Sequence, residues 1–346
     1  MNPATLATTA YTLVPSPEHD LASHPENHAR FAHITSRLSG PIGEHLLAIE
    51  PQPVAAQILT AVHPPAYLQA LEQAVAQGPG YIDYAPTYVT TASYQSALNA
   101  AGGTIGVLNA ILDGSARAGF AFVRPPGHHA TASHAMGFCL LNNLALAARQ
   151  AQRQGLRRVM IVDFDVHHGN GTQAITEDDP DILYLSTHQQ GIYPGTGALT
   201  DAGQGAGEGS VINLPLPAGA GDQAFHEIFE RIIEPAAARF VPDILLASAG
   251  FDAHWRDPLA NLQLSGVGYH ELGRRLGALA GQHCQGRILF VLEGGYDPQA
   301  LAHGAASILC ALAGVAPPQD PIGPAPHPEP PVSRLLDNAI AIHSLA

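Results

Sequence analysis

The sequence predicts an α/β fold in which a central parallel sheet is flanked by helices on both faces. Short apolar runs at Ala121 to Val123, Val159 to Val162, Ile182 to Leu185, Ile244 to Ala247 and Ile288 to Leu292 have the length and continuity of parallel strands buried on both sides. Longer helical patterns lie near Ser93 to Ile111, Asn142 to Gln154, Gln223 to Phe240, Tyr269 to Gln282 and Pro298 to Leu312. That alternation is the pattern of a layered α/β domain. The 346 residues, 46% of them hydrophobic, suffice for one large core.

Residues 315–331 contain eight prolines and are expected as an extended, semi-rigid arm. Residues 332–346 carry an amphipathic helical pattern that would fold back on the body or on a neighbouring subunit. No internal repeat of fixed period interrupts this reading.

Lys and Arg number 15 against 29 Asp and Glu, a formal net charge of −14, and no basic run occurs. Nucleic-acid binding is therefore not expected. A cationic partner such as a basic peptide or a polyamine would suit the balance, as would solubility alone. Three cysteines, Cys139, Cys284 and Cys310, are far apart and form neither a disulfide framework nor a thiolate zinc cluster. With no secretory pattern at the N-terminus and no stretch of about 18 apolar residues, a soluble, cytoplasmic protein without membrane contact is expected.

Ligands in open parallel sheets bind beyond the carboxyl ends of the strands, and the chemistry collects there. The runs lead into Arg124-Pro-Pro-Gly-His128-His129, Asp163-Phe-Asp165-Val-His167-His168, Ser186-Thr187-His188, Ser248-Ala-Gly-Phe-Asp252-Ala-His254 and Glu293-Gly-Gly-Tyr296-Asp297. Asp165 and His167, two apart in an extended segment, project to one side and can share an ion. Asp252 supplies a third ligand. Two carboxylates and one imidazole leave an open fourth position, the mark of a catalytic zinc, whose bound water has a pKa near 7. A single Asp-x-His is more often chance, but buried carboxylates at several strand ends are costly without a cation.

His128 and His129 follow a rigid Pro-Pro-Gly turn, from which adjacent side chains are expected to diverge, so acid–base work suits them better than shared ligation. Asp163 could orient and charge-stabilise His128. Tyr296, after two glycines that let the backbone approach closely, could donate to a developing oxyanion. Cys139 reads as a small buried residue. The glycine-rich stretch from Gly195 to Gly209 reads as a rim or surface loop, and the roles of His188 and His254 stay open.

These motifs resemble the zinc-dependent histone deacetylase family, which includes bacterial amidohydrolases, over roughly residues 19 to 312. The match runs from His24-Pro-Glu-Asn-His-Ala-Arg30 through Arg124-Pro-Pro-Gly-His-His-Ala130, Gly137-Phe-Cys139, Asn142-Asn143 and Asp163 to Gly171, and ends at Leu292-Glu-Gly-Gly-Tyr-Asp297. The resemblance implies an arginase-like fold, with residues 1–314 as a single deacetylase-like catalytic domain. It implies one zinc held by Asp165, His167 and Asp252, with His129 as principal base and acid and His128 as its electrostatic partner. Tyr296 would polarise the carbonyl, and Gly137, Phe138 and Tyr193 would line a narrow acyl-lysine tunnel. A structural potassium ion is implied at Asp163, Asp165, His167, Ser186 and Thr187.

Two departures refine the expectation. Asn170 stands where many members carry an aspartate beside the second histidine, as in class II enzymes, and a neutral partner leaves His129 less basic. Leu259 stands where polyamine-specific members carry a glutamate, which argues against dedicated acetylpolyamine hydrolysis. The expected function is deacylation of an acyl-lysine peptide or small acylated amine, and the resemblance implies a homo-oligomer. Competing readings are a binuclear manganese ureohydrolase on the same fold, and a catalytically silent acyl-amide binding protein.

Overall fold

The structure, a computed structural model, describes residues 8–84 and 86–345. In chain order the strands are β1 (Thr9–Val14), β2 (Leu46–Ala48), β3 (Gly80–Tyr81), β4 (Tyr88–Val89), β5 (Ala118–Val123), β6 (Val159–Asp163), β7 (Ile182–Gln189), β8 (Val211–Leu216), β9 (Ile244–Ala249) and β10 (Ile288–Leu292). β3 and β4 form a short antiparallel ladder; the other eight form one parallel sheet in the order β2-β1-β5-β10-β9-β6-β7-β8.

Side chains alternate across a strand, so each apolar run feeds two cores. Phe120 and Phe122, Met160 and Val162, and Phe290 and Leu292 face one core, while Ala121 and Val123, Val159 and Ile161, and Leu289 and Val291 face the other. The helices Gly266–His283 and Pro298–Ala313 cover the first face; Ser93–Leu112 and Asn143–Arg153 cover the second. The arrangement is a parallel sheet between helical layers, as the sequence predicts. Among the described residues no helix is long and apolar enough to cross a membrane.

The structure differs from the sequence reading in three places. Strands β1, β2 and β8 of the main sheet and the short β3–β4 ladder lie outside the predicted runs. β8 carries Asn213 and Pro215 and lies at a sheet edge, where a missing N–H is tolerated. β7 runs on through Ser186, Thr187 and His188, so these residues lie within the strand, paired with β8, rather than beyond it. The helix expected from Gln223 to Phe240 is α-helical only over Asp222–Ile228 and Glu234–Phe240, with a π-helical turn at Phe229–Ile233 between. Pro235 accounts for the wider turn, because it has no N–H to return to the preceding turn.

After residue 314 the chain runs without helix until Ser333–His343. Glu329 accepts hydrogen bonds from the backbone N–H groups of Gly221, Gln223 and Ala224, and Trp255 Nε1 donates to the Gly323 carbonyl at 3.2 Å. Leu336 and Ala339 are fully buried against the first core.

A buried ion network sits beside the carboxyl ends of β1 and β5. Arg124 donates to both oxygens of Glu26, and Arg30 Nη1 donates to Glu26 Oε1 at 3.1 Å. All three side chains are almost wholly inaccessible. Burial pushes the Glu26 carboxyl up, but the Arg124 and Arg30 charges outweigh it and hold it at about 2, against an ordinary 4.5. A depressed carboxyl stabilises the fold fully above about pH 4.5, and that contribution fades as the pH falls through about 2. Glu26→Gln leaves Arg30 without its carboxylate and Arg124 with only the partly exposed Asp20, 3.0 Å away, and should cost about 3–5 kcal/mol near neutrality. Urea midpoints of both proteins should converge as the pH drops from 4.5 towards 2; a gap that stays constant over that range would refute the role given to Glu26.

Candidate active site

Three adjacent central strands, β10, β9 and β6, each deliver part of one site. Tyr296 lies four residues beyond β10, Asp252 three beyond β9, and Asp165 two beyond β6. The site is the floor of a pocket of about 220 Å³ that Asp165, His167, His128, His129, Phe138, Tyr193, Leu259 and Tyr296 line.

Asp165, His167 and Asp252 present ligand atoms within 4.8 Å of one another, the one such acidic and histidine cluster among the described residues. His167 Nδ1 is 3.2 Å from Asp165 Oδ1 and 3.2 Å from Asp252 Oδ2. Ligands about 2.0–2.1 Å from a tetrahedral ion stand roughly 3.3 Å apart, so the spacing fits zinc. Their other contacts aim the carboxylates: Gly294 N donates to Asp165 Oδ2 at 2.7 Å, and Val166 N donates to Asp252 Oδ1 at 3.0 Å. Asp252 Oδ2 is buried without a hydrogen-bond donor. Burial and the Asp165 charge push the Asp252 carboxyl up. A single cluster of three ligands supports one metal and gives no second carboxylate set for a binuclear centre.

The paired histidines do not diverge. Their ring centroids are 4.0 Å apart, because each Nδ1 is caught by a different residue, one at the end of β6 and one at the start of the helix Asn170–Thr176. His128 Nδ1 meets Asp163 Oδ2 at 3.2 Å, and His129 Nδ1 meets Asn170 Oδ1 at 2.8 Å. Glu293 Oε2 fixes the turn beneath them by accepting from Gly127 N at 2.7 Å and His128 N at 3.0 Å. The two rings are electrostatically opposite. Burial opposes a charge on His128, but Asp165, Asp163 and Glu293 outweigh it and push its pKa up to about 10. Burial, with the His128 and His167 charges, drives His129 well below 6.5. Separated pKa values in touching groups distinguish a proton acceptor from a charge stabiliser. With Nδ1–H donated to Asn170, the Nε2 lone pair of His129 is available.

The walls are apolar and tight. Gly137 and Phe138 both have positive φ, 54° and 71°, and a Cβ at Gly137 would fall 2.4 Å from His129 Cδ2, so no other residue fits there. Phe138 holds its strained conformation with its N–H bound to Thr87 Oγ1 at 3.0 Å and its ring edge-on to His24, centroids 4.5 Å apart. Tyr193 stands edge-on to His129 at 5.0 Å, and Leu259, 40% exposed, marks the mouth. Burial lifts the Tyr296 phenol well above 10, so it keeps its proton and can donate.

Other sequence candidates fall outside the pocket. Ser186 Oγ bonds His188 Nδ1 at 2.9 Å, Thr187 Oγ1 donates to the Asp163 carbonyl at 3.3 Å, and His188 Nε2 meets the Gly197 carbonyl at 3.0 Å. His254 Nδ1 accepts from Arg256 N at 3.1 Å. Burial raises the Cys139 thiol well above 9, and its Sγ faces the Gly137 carbonyl, which fits a structural residue. Arg30, Glu293 and Asp257 support the site without having been singled out. The first two lie inside the motifs quoted above; Asp257 carries no local signal.

A buried carboxylate–imidazole trio beside a histidine pair and a protonated tyrosine holds the groups that metal-assisted hydrolysis requires. The family model described as Histone deacetylase domain matches residues 24–312. The chain is 45% identical over 314 residues to "Histone deacetylase 14, chloroplastic" of Arabidopsis thaliana, covering 86% of this chain and 74% of that protein. It is 40% identical over 296 residues to "Probable deacetylase" of Archaeoglobus fulgidus, covering 84% and 82%. The crystal structure of the HDA15 HD domain superposes with a TM-score of 0.87 at 34% identity, over 97% of this chain and 95% of that one. The chain belongs to the histone deacetylase family, whose members are deacetylases and amidohydrolases and generally depend on zinc.

A Cβ at Gly294 would fall 1.9 Å from Asp252 Oδ2 and 2.6 Å from Asp165 Oδ2. Gly294→Ala should therefore displace both carboxylates and weaken divalent-metal binding roughly tenfold or more, measured by metal titration, while the fold persists. Unchanged metal affinity would show that the ligand set lies elsewhere.

Proposed function

We propose that the protein is a zinc-dependent deacylase that hydrolyses the linear amide of an N-acylated amine, acetyl-lysine in a peptide or a related small amide. One observation carries this reading: Asp165, His167 and Asp252 meet at ligand spacing on the floor of an apolar pocket whose walls hold His129 and Tyr296. A zinc ion bound by that trio would supply Lewis-acid polarisation of the carbonyl and a lowered pKa for water.

The chain's own residues do the rest. Phe138 and Tyr193 flank the alkyl part of the substrate, and Gly137 brings backbone close to it. His129 Nε2 takes the proton of the attacking water and returns it to the amine nitrogen as the carbon–nitrogen bond breaks. His128, between Asp163 and Asp165, holds positive charge beside the reacting centre. The Tyr296 hydroxyl donates to the oxyanion, an interaction worth most in a site sheltered from water. Products are the free amine and a carboxylate. Leu259 offers no negative charge for the second ammonium of a polyamine, which favours acyl-lysine over acetylpolyamine. A potassium ion beside Asp163 belongs to this reading only by resemblance, since Ser186 and Thr187 already have protein partners.

The test is hydrolysis of acyl-lysine peptides, acylated polyamines and aryl amides by zinc-loaded protein. Chelation should abolish turnover and zinc restore it, and Tyr296→Phe should lower kcat by about 100- to 1,000-fold with its zinc retained. No turnover on any substrate with one zinc per chain would sink the catalytic reading in favour of a binding protein.

A further inference from the structure

We propose that Asp257 is a positioning residue that sets the orientation of Tyr296 and ties it to the Leu259 side of the pocket mouth. The assignment rests on the reading of Tyr296 as the group that polarises the carbonyl.

Asp257 lies five residues past Asp252 and is 7% exposed. Its Oδ2 accepts from Tyr296 N at 2.7 Å, and its Oδ1 accepts from Leu259 N at 3.0 Å. Those amides belong to loops that follow different strands, β10 and β9. The strand pairing ends at Leu292 and Ala249, and one further backbone bond, Phe251 N to the Gly294 carbonyl at 3.0 Å, links the loops beyond it. Tyr296 is farther out, so a side chain has to hold its amide.

The Gly295–Tyr296 peptide group is gripped on both of its polar atoms. Its carbonyl accepts from Arg30 Nε at 2.6 Å, and its N–H is held by Asp257. The Arg30 guanidinium also lies over the Tyr296 ring, 4.8 Å from its centroid. Gly295, at φ 115°, imposes little conformational preference of its own on this segment. A tilt of the peptide plane swings the hydroxyl at the far end of the side chain, and a misplacement of about 1 Å at a reacting group costs roughly 100-fold in rate. Two acceptor oxygens are required at this position. Asparagine supplies one and turns an NH₂ group against the other amide.

The experiment is a double-mutant cycle on one acyl-lysine substrate with wild type, Asp257→Asn, Asp257→Ala, Tyr296→Phe and the Asp257→Ala/Tyr296→Phe pair, each checked for zinc content and melting temperature. Asp257→Ala should lower kcat roughly 10- to 100-fold with zinc retained, Asp257→Asn should lose less, and Asp257→Ala should cost nothing further once Tyr296 is Phe. Equal kcat in wild type and Asp257→Ala would overturn the assignment, as would a loss that persists undiminished on the Tyr296→Phe background. Affinity for an alkyl hydroxamate, a zinc-chelating carbonyl compound, is read in parallel on the same proteins. If wild type hydrolyses nothing, the deacylase reading fails by itself. The hydroxamate cycle then decides Asp257, with non-additive losses expected and additive or absent losses overturning it.

Discussion

Two buried carboxylates facing one imidazole are the constraint on which the rest of this structure turns. Asp165 and Asp252 reach the centre of the molecule at the ends of neighbouring strands, where an uncompensated charge costs several kcal/mol. Backbone amides of Gly294 and Val166 take one oxygen of each, and Gly250 and Gly294 are the residues whose lack of a side chain lets the carboxylates fit. The charge left over faces the pocket, which is where a divalent cation would be bound most strongly.

Around that centre, charge is arranged in layers. His128 touches Asp163 and lies near Asp165, which favour its charged form, while burial first and the His128 charge second favour neutral His129. Asn170 rather than a carboxylate at the His129 ring sharpens that difference. Farther out, Glu26 pairs with Arg124 and Arg30, and Arg30 reaches the Glu293 and Gly295 carbonyls at 2.6 Å each. The His24 to Arg30 segment thus connects the first strand's end to the loop carrying Tyr296. His24 also packs on Phe138, so the same segment braces two walls of the pocket.

Much of this is legible in the sequence. Apolar runs without polar interruption identify strands buried on both faces, and β5, β6, β7, β9 and β10 are of that kind. Asp165, His167, Asp252, His128, His129 and Tyr296 announced themselves by following those runs. Less legible were β1, with its alternating Thr and Tyr, the three-residue β2, and β8 with Pro215, since edge and short strands carry weak patterns. The convergence of the two histidine rings was also missed. It depends on Asp163 at the end of β6, Asn170 at the start of the following helix and Glu293 just past β10, all far from the pair in sequence.

The sequence by itself determined the five central strands and the helices between them, most of the residues at their ends, and the family, because periodicity and short motifs are local properties of the chain. Only the tertiary structure decided which strands are neighbours, and therefore that the β6, β9 and β10 ends meet. It alone shows which acidic groups surround each histidine, and that one peptide group is held between Arg30 and Asp257. The physical reason is that pKa values and side-chain aim depend on distances of a few ångströms between residues as far apart as Arg30 and Gly295, and such distances exist only once the sheet has assembled.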